Sequence, residues 1–536
     1  MTETRVESSI TEGGLIRPMF ELAWPMIVIQ LLQVAYNLAD TFWLGQLSAD
    51  AVGALSIAFP LIFLLISVGG GFTTAGSILV AQYTGAESEG SAGAVAGQTL
   101  SFVTLLAIAL GAVGFLVTDQ MLGLLPADPA TMAQVIPLAG DYMRIFFLGQ
   151  PFLFGFFVFS SLMRGYGNTR TPMRVMGISV FLNVVLDPFL IFGWGPFPAM
   201  GIEGAAVATI FSRAVATVIG VYILFLTGVG PTVRVHHLVP EFDTISKIVR
   251  VGVPSATEQS MSALAMITLT AMVTSFAPSV VAAFGLGNRL ISLVFLPALG
   301  LGRATNTMVG QNLGAKKADR AQRAVHLAAT GAAGLLIVVA IVAALFPEPI
   351  IAVFMRGDTV QGAETIRLGA EYLRIRAIEF GFIGVLQVLL GAFRGAGNTK
   401  TAMGISIITL WLGRVPTVFY LAFIAGLGAT GIWIGMALGN IVGAVVAVAW
   451  FSRGTWRRAI IDGEGDSGEV EKVGEAGEVG EAPEAGEAAE GGDVEKVGES
   501  AEVGEAPEAG EATVDDDSDS SPTADPVDDP EPDSEE

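Results

Sequence analysis

Twelve mostly apolar stretches, each about 20 residues or longer, follow one another along the chain at residues 19–44, 52–81, 93–118, 135–162, 172–195, 201–228, 245–276, 280–309, 323–346, 365–392, 401–424 and 429–452. Lipid offers no partners for backbone N–H and C=O groups, so such runs must close their hydrogen bonds internally, as helices. Apolar residues make up 52% of the chain and charged ones 15%, and mean hydropathy is +0.63. The expected fold is an all-α integral membrane protein with 12 transmembrane helices. Several stretches exceed a bare span, which predicts tilt or bending. Pro25 and Pro254 fall early in their helices, where each can kink its helix. The first stretch lacks a small-residue cleavage site and runs on into Asn37 and Asp40, so it reads as a retained helix rather than a signal peptide.

The net charge of −23 conceals two unlike parts. Residues 461–536 hold 29 acids and 2 lysines, a net of −27, which leaves +4 for residues 1–460. The tail repeats itself: Glu471-Lys472-Val473-Gly474-Glu475 returns 24 residues later as Glu495-Lys496-Val497-Gly498-Glu499. Low hydrophobicity and dense like charge predict a disordered tail over 456–536. Acid excess, with arginine far outnumbering lysine in the body, points to a high-salt cytoplasm and a halophilic archaeal source. Nothing here suits nucleic acid as a partner. The chain has no cysteine, which excludes disulfides and thiolate metal sites, and His236, His237 and His326 fall in or beside loops.

Loop charge sets the orientation. Even-numbered connections carry Arg164, Arg170 and Arg174; Arg234, Lys247 and Arg250; Lys316, Lys317, Arg320 and Arg323; and Arg394 and Lys400. Odd-numbered ones hold Arg356 with Asp50, Asp119, Asp128, Glu348 and Asp358. Both termini are expected in the cytoplasm, including residues 1–18, with the body in the cell membrane.

The body is duplicated. Arg164-Gly165-Tyr166-Gly167-Asn168-Thr169 returns as Arg394-Gly395-Ala396-Gly397-Asn398-Thr399, and Asp141-Tyr142-Met143-Arg144-Ile145 as Glu371-Tyr372-Leu373-Arg374-Ile375. Gln82, Pro25 and Gly201 likewise match Gln311, Pro254 and Gly431, all at an offset of 229 or 230 residues. Six helices per repeat put both halves the same way up in the membrane, related by an axis along its normal. This predicts an N-terminal six-helix lobe at 19–228, a C-terminal lobe at 245–455, and a flexible cytoplasmic linker at 229–244.

Asp40 and Asp187 lie inside apolar stretches. An ionisable group at membrane depth costs roughly 2.5–3.5 kcal/mol on insertion scales, so a functional reading comes first. Asn37 shares a helical face with Asp40, and Asn183 shares one with Asp187. At 1.5 Å per residue, Asp187 lies about 12 Å and Asp40 about 6–8 Å below the outer ends of their helices, with Thr209 about 12 Å down the sixth. At the repeat offset these positions hold Leu269, Gly413, Thr417 and Gly439. Polar groups needed merely to hold a bundle together would recur in both halves. Their confinement to one half points to a site for a coupling cation, H⁺ or Na⁺. A hydrogen-bonded pair locking two helices is the plainer alternative.

Glu258, Glu379 and Arg414 are buried charges of the second half, expected either to pair with one another or to contact substrate. The Arg-Gly-x-Gly-Asn-Thr turns lack the Lys-Ser/Thr ending of a phosphate loop and read as structural. The phenylalanines from Phe146 to Phe159 are expected mostly in the core, with a substrate cleft as the alternative.

The duplicated turn, Tyr36-Asn37-Leu38-Ala39-Asp40-Thr41-Phe42-Trp43 and Asn183-Val184-Val185-Leu186-Asp187-Pro188 together resemble the multidrug and toxic compound extrusion (MATE) family over about residues 15–455, and most closely its DinF-like branch. The resemblance implies a secondary active transporter, not an enzyme, that extrudes amphipathic, often cationic small molecules in exchange for H⁺ or Na⁺ by rocking-bundle alternating access. It implies no cofactor and a coupling cluster at Asp40, Asn183, Asp187 and Thr209, which would be the metal ligands if the ion is Na⁺; Asn37 is added from its helical face. Pro25 becomes a candidate hinge, and a monomer is expected. Thr209 follows a longer loop at Gly195–Pro198, which alters the family spacing. The NorM-like branch's helix-10 aspartate would fall near Ile383, so that site is expected to be absent. Two other readings remain: a lipid-linked saccharide flippase, with Arg144, Arg213, Arg289, Arg303 and Arg414 lining a cationic cleft, and an intramembrane aspartyl enzyme.

Overall fold

The computed structural model describes residues 10–123, 129–354 and 359–461. The expected disordered tail from Asp462 onward lies outside the described residues, as do Asp128, Arg356 and Asp358. The first half comprises helices α1 (Ile16–Leu47), α2 (Ala49–Gly85), α3 (Glu89–Gly123), α4 (Pro129–Leu148), α5 (Gln150–Tyr166), α6 (Arg170–Phe192) and α7 (Ile202–Leu226). The second comprises α8 (Phe242–Thr274), α9 (Pro278–Gly314), α10 (Ala318–Leu345), α11 (Val360–Ala377), α12 (Phe380–Gly395), α13 (Thr399–Ile424) and α14 (Gly428–Phe451). No strand occurs among the described residues.

Nine of these helices are long and apolar enough to span a bilayer alone, and the bent pairs α4/α5 and α11/α12 bring the number to eleven. The twelfth expected span is α8, 33 residues long; Asp243, Lys247, Arg250, Glu258 and Gln259 lower its apolar content. The fourth and tenth spans were expected as single helices. Instead they break, bending by 54° after Leu148 and by 53° after Ala377. Gly149 and Pro151 start a new helix in the first case; at the second break Ile378 and Glu379 donate to carbonyls only three residues back, at 3.3 and 3.1 Å. Large apolar side chains, among them Phe42, Leu105, Leu116, Phe181, Val218 and Val338, stay exposed on the outer faces, where lipid would cover them.

The halves meet along α1, α2, α8 and α9, with α2 packed on both α8 and α9, and α1 packed on α6 and α9. Where α2 crosses α9 the backbones touch. A Cβ on Gly85 would lie 1.9 Å from the Gln311 carbonyl oxygen, and one on Gly314 would lie 1.9 Å from that of Gln82. Gln82 Nε2 donates to the Gly395 carbonyl at 3.1 Å and Gln311 Nε2 donates to that of Gly165 at 3.0 Å. The duplicated turns therefore clamp the crossing from both sides. Each turn is a glycine cap: Gly167 and Gly397 take φ of +100° and +81°, and Asn168 and Asn398 N–H groups return to Met163 and Phe393 carbonyls, each at 2.8 Å. The structural reading of these turns holds.

The segments flanking the helical body reinforce this junction. Buried Ile10 lies against Gly167, with its carbonyl accepting from Asn312 Nδ2 at 3.2 Å. Ile460 lies against Gly397 and donates its N–H to Gln82 Oε1 at 2.9 Å. Part of the segment joining the halves is hydrogen-bonded to α3. Gln98 Nε2 donates to the carbonyls of His237 and Val239 at 2.9 and 2.5 Å, and Ser101 Oγ donates to that of Leu238 at 2.7 Å. Burial, with His236 and Arg234 adding to it, holds the His237 imidazole below its ordinary pKa. Its Nδ1 accordingly accepts from the Arg234 N–H at 3.2 Å.

Candidate cation site

Three helices bring the expected residues together. α1 supplies Tyr36 and Asp40, α6 supplies Asn183 and Asp187, and α7 supplies Thr209, all buried. Tyr36 and Asp40 stand one turn apart on α1, as do Asn183 and Asp187 on α6, so each helix offers a pair from one face. The Asp187, Tyr36 and Asn183 side chains surround the Asp40 carboxylate. Tyr36 Oη and Thr209 Oγ1 share a 2.7 Å hydrogen bond, which ties α1 to α7. Asn183 Nδ2 donates to Asp187 Oδ1 at 3.1 Å.

Three oxygens in this cluster are buried without any hydrogen-bond partner: Asp40 Oδ1, Asn183 Oδ1 and Asp187 Oδ2. A buried acceptor left unpaired typically costs about 1–3 kcal/mol, and more when it is charged. Two carboxylates side by side also repel unless a proton or cation lies between them. The donor set is all oxygen (carboxylate, amide and hydroxyl), which suits Na⁺ or a shared proton. Among the described residues no group of three or more His, Cys, Asp or Glu side chains gathers.

Asn37 does not join the cluster. It is half-buried, and its Oδ1 accepts from Gln33 Nε2 at 3.3 Å along its own helix. Two further groups complete the setting, and sequence reasoning had given neither a role here. Tyr142 lies close enough for Asp40 and Asp187 to act on it. Buried Arg213 carries its charge 5.1 Å from the Tyr36 ring centroid, held by Met176 Sδ at 2.9 Å and Gln33 Oε1 at 3.1 Å. The repeat carried a usable signal for the tyrosine: Tyr372, at the offset position of Tyr142, also sits in a charged cluster. Pro25 is buried within an unbroken α1.

The expected mutual pairing in the second half does not occur. Glu258 instead binds Arg394 of the duplicated turn, at 2.5 Å to Oε1 and 3.2 Å to Oε2, and Ser406 Oγ donates to it at 2.6 Å. Glu379 pairs with Arg376 one turn earlier on the same stretch of chain. Arg414 reaches neither acid directly; its Nη2 donates to Asn440 Oδ1 at 2.6 Å. The cause is geometric, because Arg394 and Arg376 each stand nearer an acid than Arg414 does. Removing one partner of a buried pair costs about 3–5 kcal/mol. Arg394 is 26% exposed, so Glu258→Ala should fall at the low end and lower the melting temperature of the purified protein. An unchanged melting curve would contradict the structural role given to this pair. Phe146, Phe147, Phe154, Phe156 and Phe159 are buried in the core, as expected for most of that run.

Fold and site together define a multi-pass, all-helical membrane transporter built from two like halves. The sequence profile of the MatE family matches residues 25–189 and 254–420, two segments whose starts are 229 residues apart. The chain belongs to the MatE family, whose members are secondary transporters and not enzymes, so the aspartyl-enzyme reading is set aside. It is similar to "Probable multidrug resistance protein YoeA" of Bacillus subtilis, 30% identical over 81% of this chain and 93% of that protein. It is also similar to "Probable multidrug resistance protein YpnP" of the same organism, 29% identical over 83% and 97%. An outward-facing multidrug resistance MATE family transporter superposes with a TM-score of 0.74 at 24% identity, over 84% of this chain and 97% of that one.

Proposed function

We propose that this chain is a cation-coupled efflux antiporter of the cell membrane, which exports amphipathic, often cationic compounds in exchange for H⁺ or Na⁺. The observation that carries the reading is the set of buried, unpartnered oxygens on Asp40, Asn183 and Asp187. The names of the bacterial relatives support drug export. In this reading the lobes are residues 19–228 and 245–455, joined by the linker 229–244. Both termini, 1–18 and 456–536, face the cytoplasm, and the protein works as a monomer.

Taking up a cation from outside neutralises Asp40 and Asp187. A cationic drug held in the first lobe then loses its counter-charge and leaves outward. Asn183 and Thr209 complete the oxygen set around Na⁺, or orient the protonated pair if the ion is H⁺. Pro25 serves as the hinge on which α1 answers this change. Coupling follows because drug and cation favour different states of the same site. In this reading the Gly85/Gly314 crossing lies on the cytoplasmic side and opens as the lobes rock.

A flippase for lipid-linked saccharides would need a cationic cleft. The arginines weighed for it lie on separate helices, α4, α7, α9 and α13: Arg144 pairs with Asp119 at 2.6 Å, while Arg213, Arg303 and Arg414 donate to the amide oxygens of Gln33, Gln30 and Asn440 at 3.1, 3.1 and 2.6 Å. Proteoliposomes under separately imposed pH and Na⁺ gradients should drive ethidium transport and leave a lipid-linked oligosaccharide untranslocated. Oligosaccharide movement without dye transport would overturn the proposal.

A further inference from the structure

The second half holds a buried polar cluster whose unmet valences are opposite in kind to those of the first. Glu379 is fully buried with both oxygens occupied: Arg376 Nε donates to Oε1, and Asn440 Nδ2 donates to Oε2 at 2.8 Å. Arg376 also reaches Tyr372 Oη at 3.0 Å, so its charge is matched and its position fixed. Asn440 passes its other end to Arg414, accepting from Nη2 at 2.6 Å. Arg414 has no carboxylate within ion-pair distance among the described residues, and its Nε is buried without a partner. The indole Nε1 of Trp433 is likewise buried and unpartnered; Trp433 stands two turns before Asn440 on α14 and edge-on to Tyr372, 4.7 Å between ring centroids.

The cluster therefore carries one uncompensated positive charge and two orphaned donors, while the first half carries orphaned acceptors. A guanidinium with no carboxylate to balance it is costly at membrane depth, and its planar donors match an oxoanion. Arg414 as a residue is half-buried, while its Nε and the Trp433 indole N–H lie fully inside, so a ligand that meets these donors must enter the cluster itself. It also ends a π-helical stretch, Ile408–Arg414, a local widening of the helix that occurs often at functional sites.

We propose that the second half binds an oxoanion carried by the transported amphiphile, a carboxylate or phosphate ester, with Arg414 as its cationic centre. Asn440 positions the guanidinium, and Glu379 neutralises Arg376 so that Arg414 alone presents net charge. The substrate range then extends to anionic and zwitterionic amphiphiles as well as cations. This rests on the transporter reading above, but equilibrium binding tests it without any gradient.

The test compares 11-(dansylamino)undecanoate with its methyl ester, by fluorescence titration of the purified full-length chain. Wild type should bind the acid roughly tenfold or more tightly than the ester, the scale of one charge-assisted hydrogen bond. Arg414→Gln should abolish that preference, Arg414→Lys should keep part of it, and ester binding should change less than about twofold. Equal binding of acid and ester by wild type would overturn the proposal whether or not the variants fold. So would an acid preference that survives Arg414→Gln, or inorganic phosphate alone binding through Arg414 with no preference for the acid. Intact acid preference in a protein that shows no cation-driven efflux would count against the antiporter alone and leave this site standing.

Discussion

Asp187→Asn is expected to abolish gradient-driven drug efflux, and Asp40→Asn to reduce it by at least about tenfold. Asp187 is fully buried and presents an unpartnered oxygen toward the cluster, with Asp40 beside it. An asparagine in either place keeps the size of the side chain and removes the charge that a proton or Na⁺ would balance. Carboxylates at membrane depth are hard to replace, because no neighbouring group can take over their charge. Dye efflux from cells expressing each variant at matched levels checks this. The plainer alternative, in which the pair only locks helices together, predicts loss of stability with coupling retained in whatever protein folds. Melting curves measured alongside separate the two: transport lost at near-normal stability supports the cation site.

The second large effect is expected at the junction of the halves. The chain has no cysteine, so a single engineered pair can be cross-linked without background. Ala81 and Gly310 face each other across the α2–α9 crossing, with a Cβ on Gly310 falling 2.8 Å from that of Ala81. That is well inside the usual Cβ separation of a disulfide, about 3.5–4.5 Å, so α2 and α9 must move apart by about 1 Å before the bond can close. Oxidised Ala81→Cys/Gly310→Cys protein should transport at background level and regain activity on reduction. If cross-linked protein, verified by its mobility in a non-reducing gel, transports as well as the reduced form, the lobes do not part at this crossing and rocking-bundle access fails.

The duplication was legible because five separate matches share an offset of 229 or 230 residues, and the polar cluster proposed as the cation site because aspartates in apolar helices are costly enough to stand out. Repeat arithmetic argues against structural glue for Asp40 and Asp187, since Leu269 and Thr417 occupy the corresponding places. Less local features escaped. Asn37 shares a face with Asp40, yet Gln33 captures it, and a helical wheel does not rank such competitors. Arg376 drew no notice because it falls just before a break, in a stretch expected to run through as one helix. Pro151 marks the first such break, but Gly381 stands at its repeat position, so the second had no comparable signal. The π-helical stretch before Arg414 has no signature in apolar periodicity. Pairing of Glu258 with Arg394 depended on where a turn more than 100 residues away would fold back.

Counter-movement of the cation itself tests the central claim most directly. Proteoliposomes loaded with a pH- or Na⁺-sensitive dye would receive a saturating drug gradient, with the wild-type chain compared against Asp40→Asn/Asp187→Asn. The cation site predicts drug-dependent flux of one of the two ions through the wild type and none through the double variant. Drug-dependent cation flux of equal size through the double variant would contradict it.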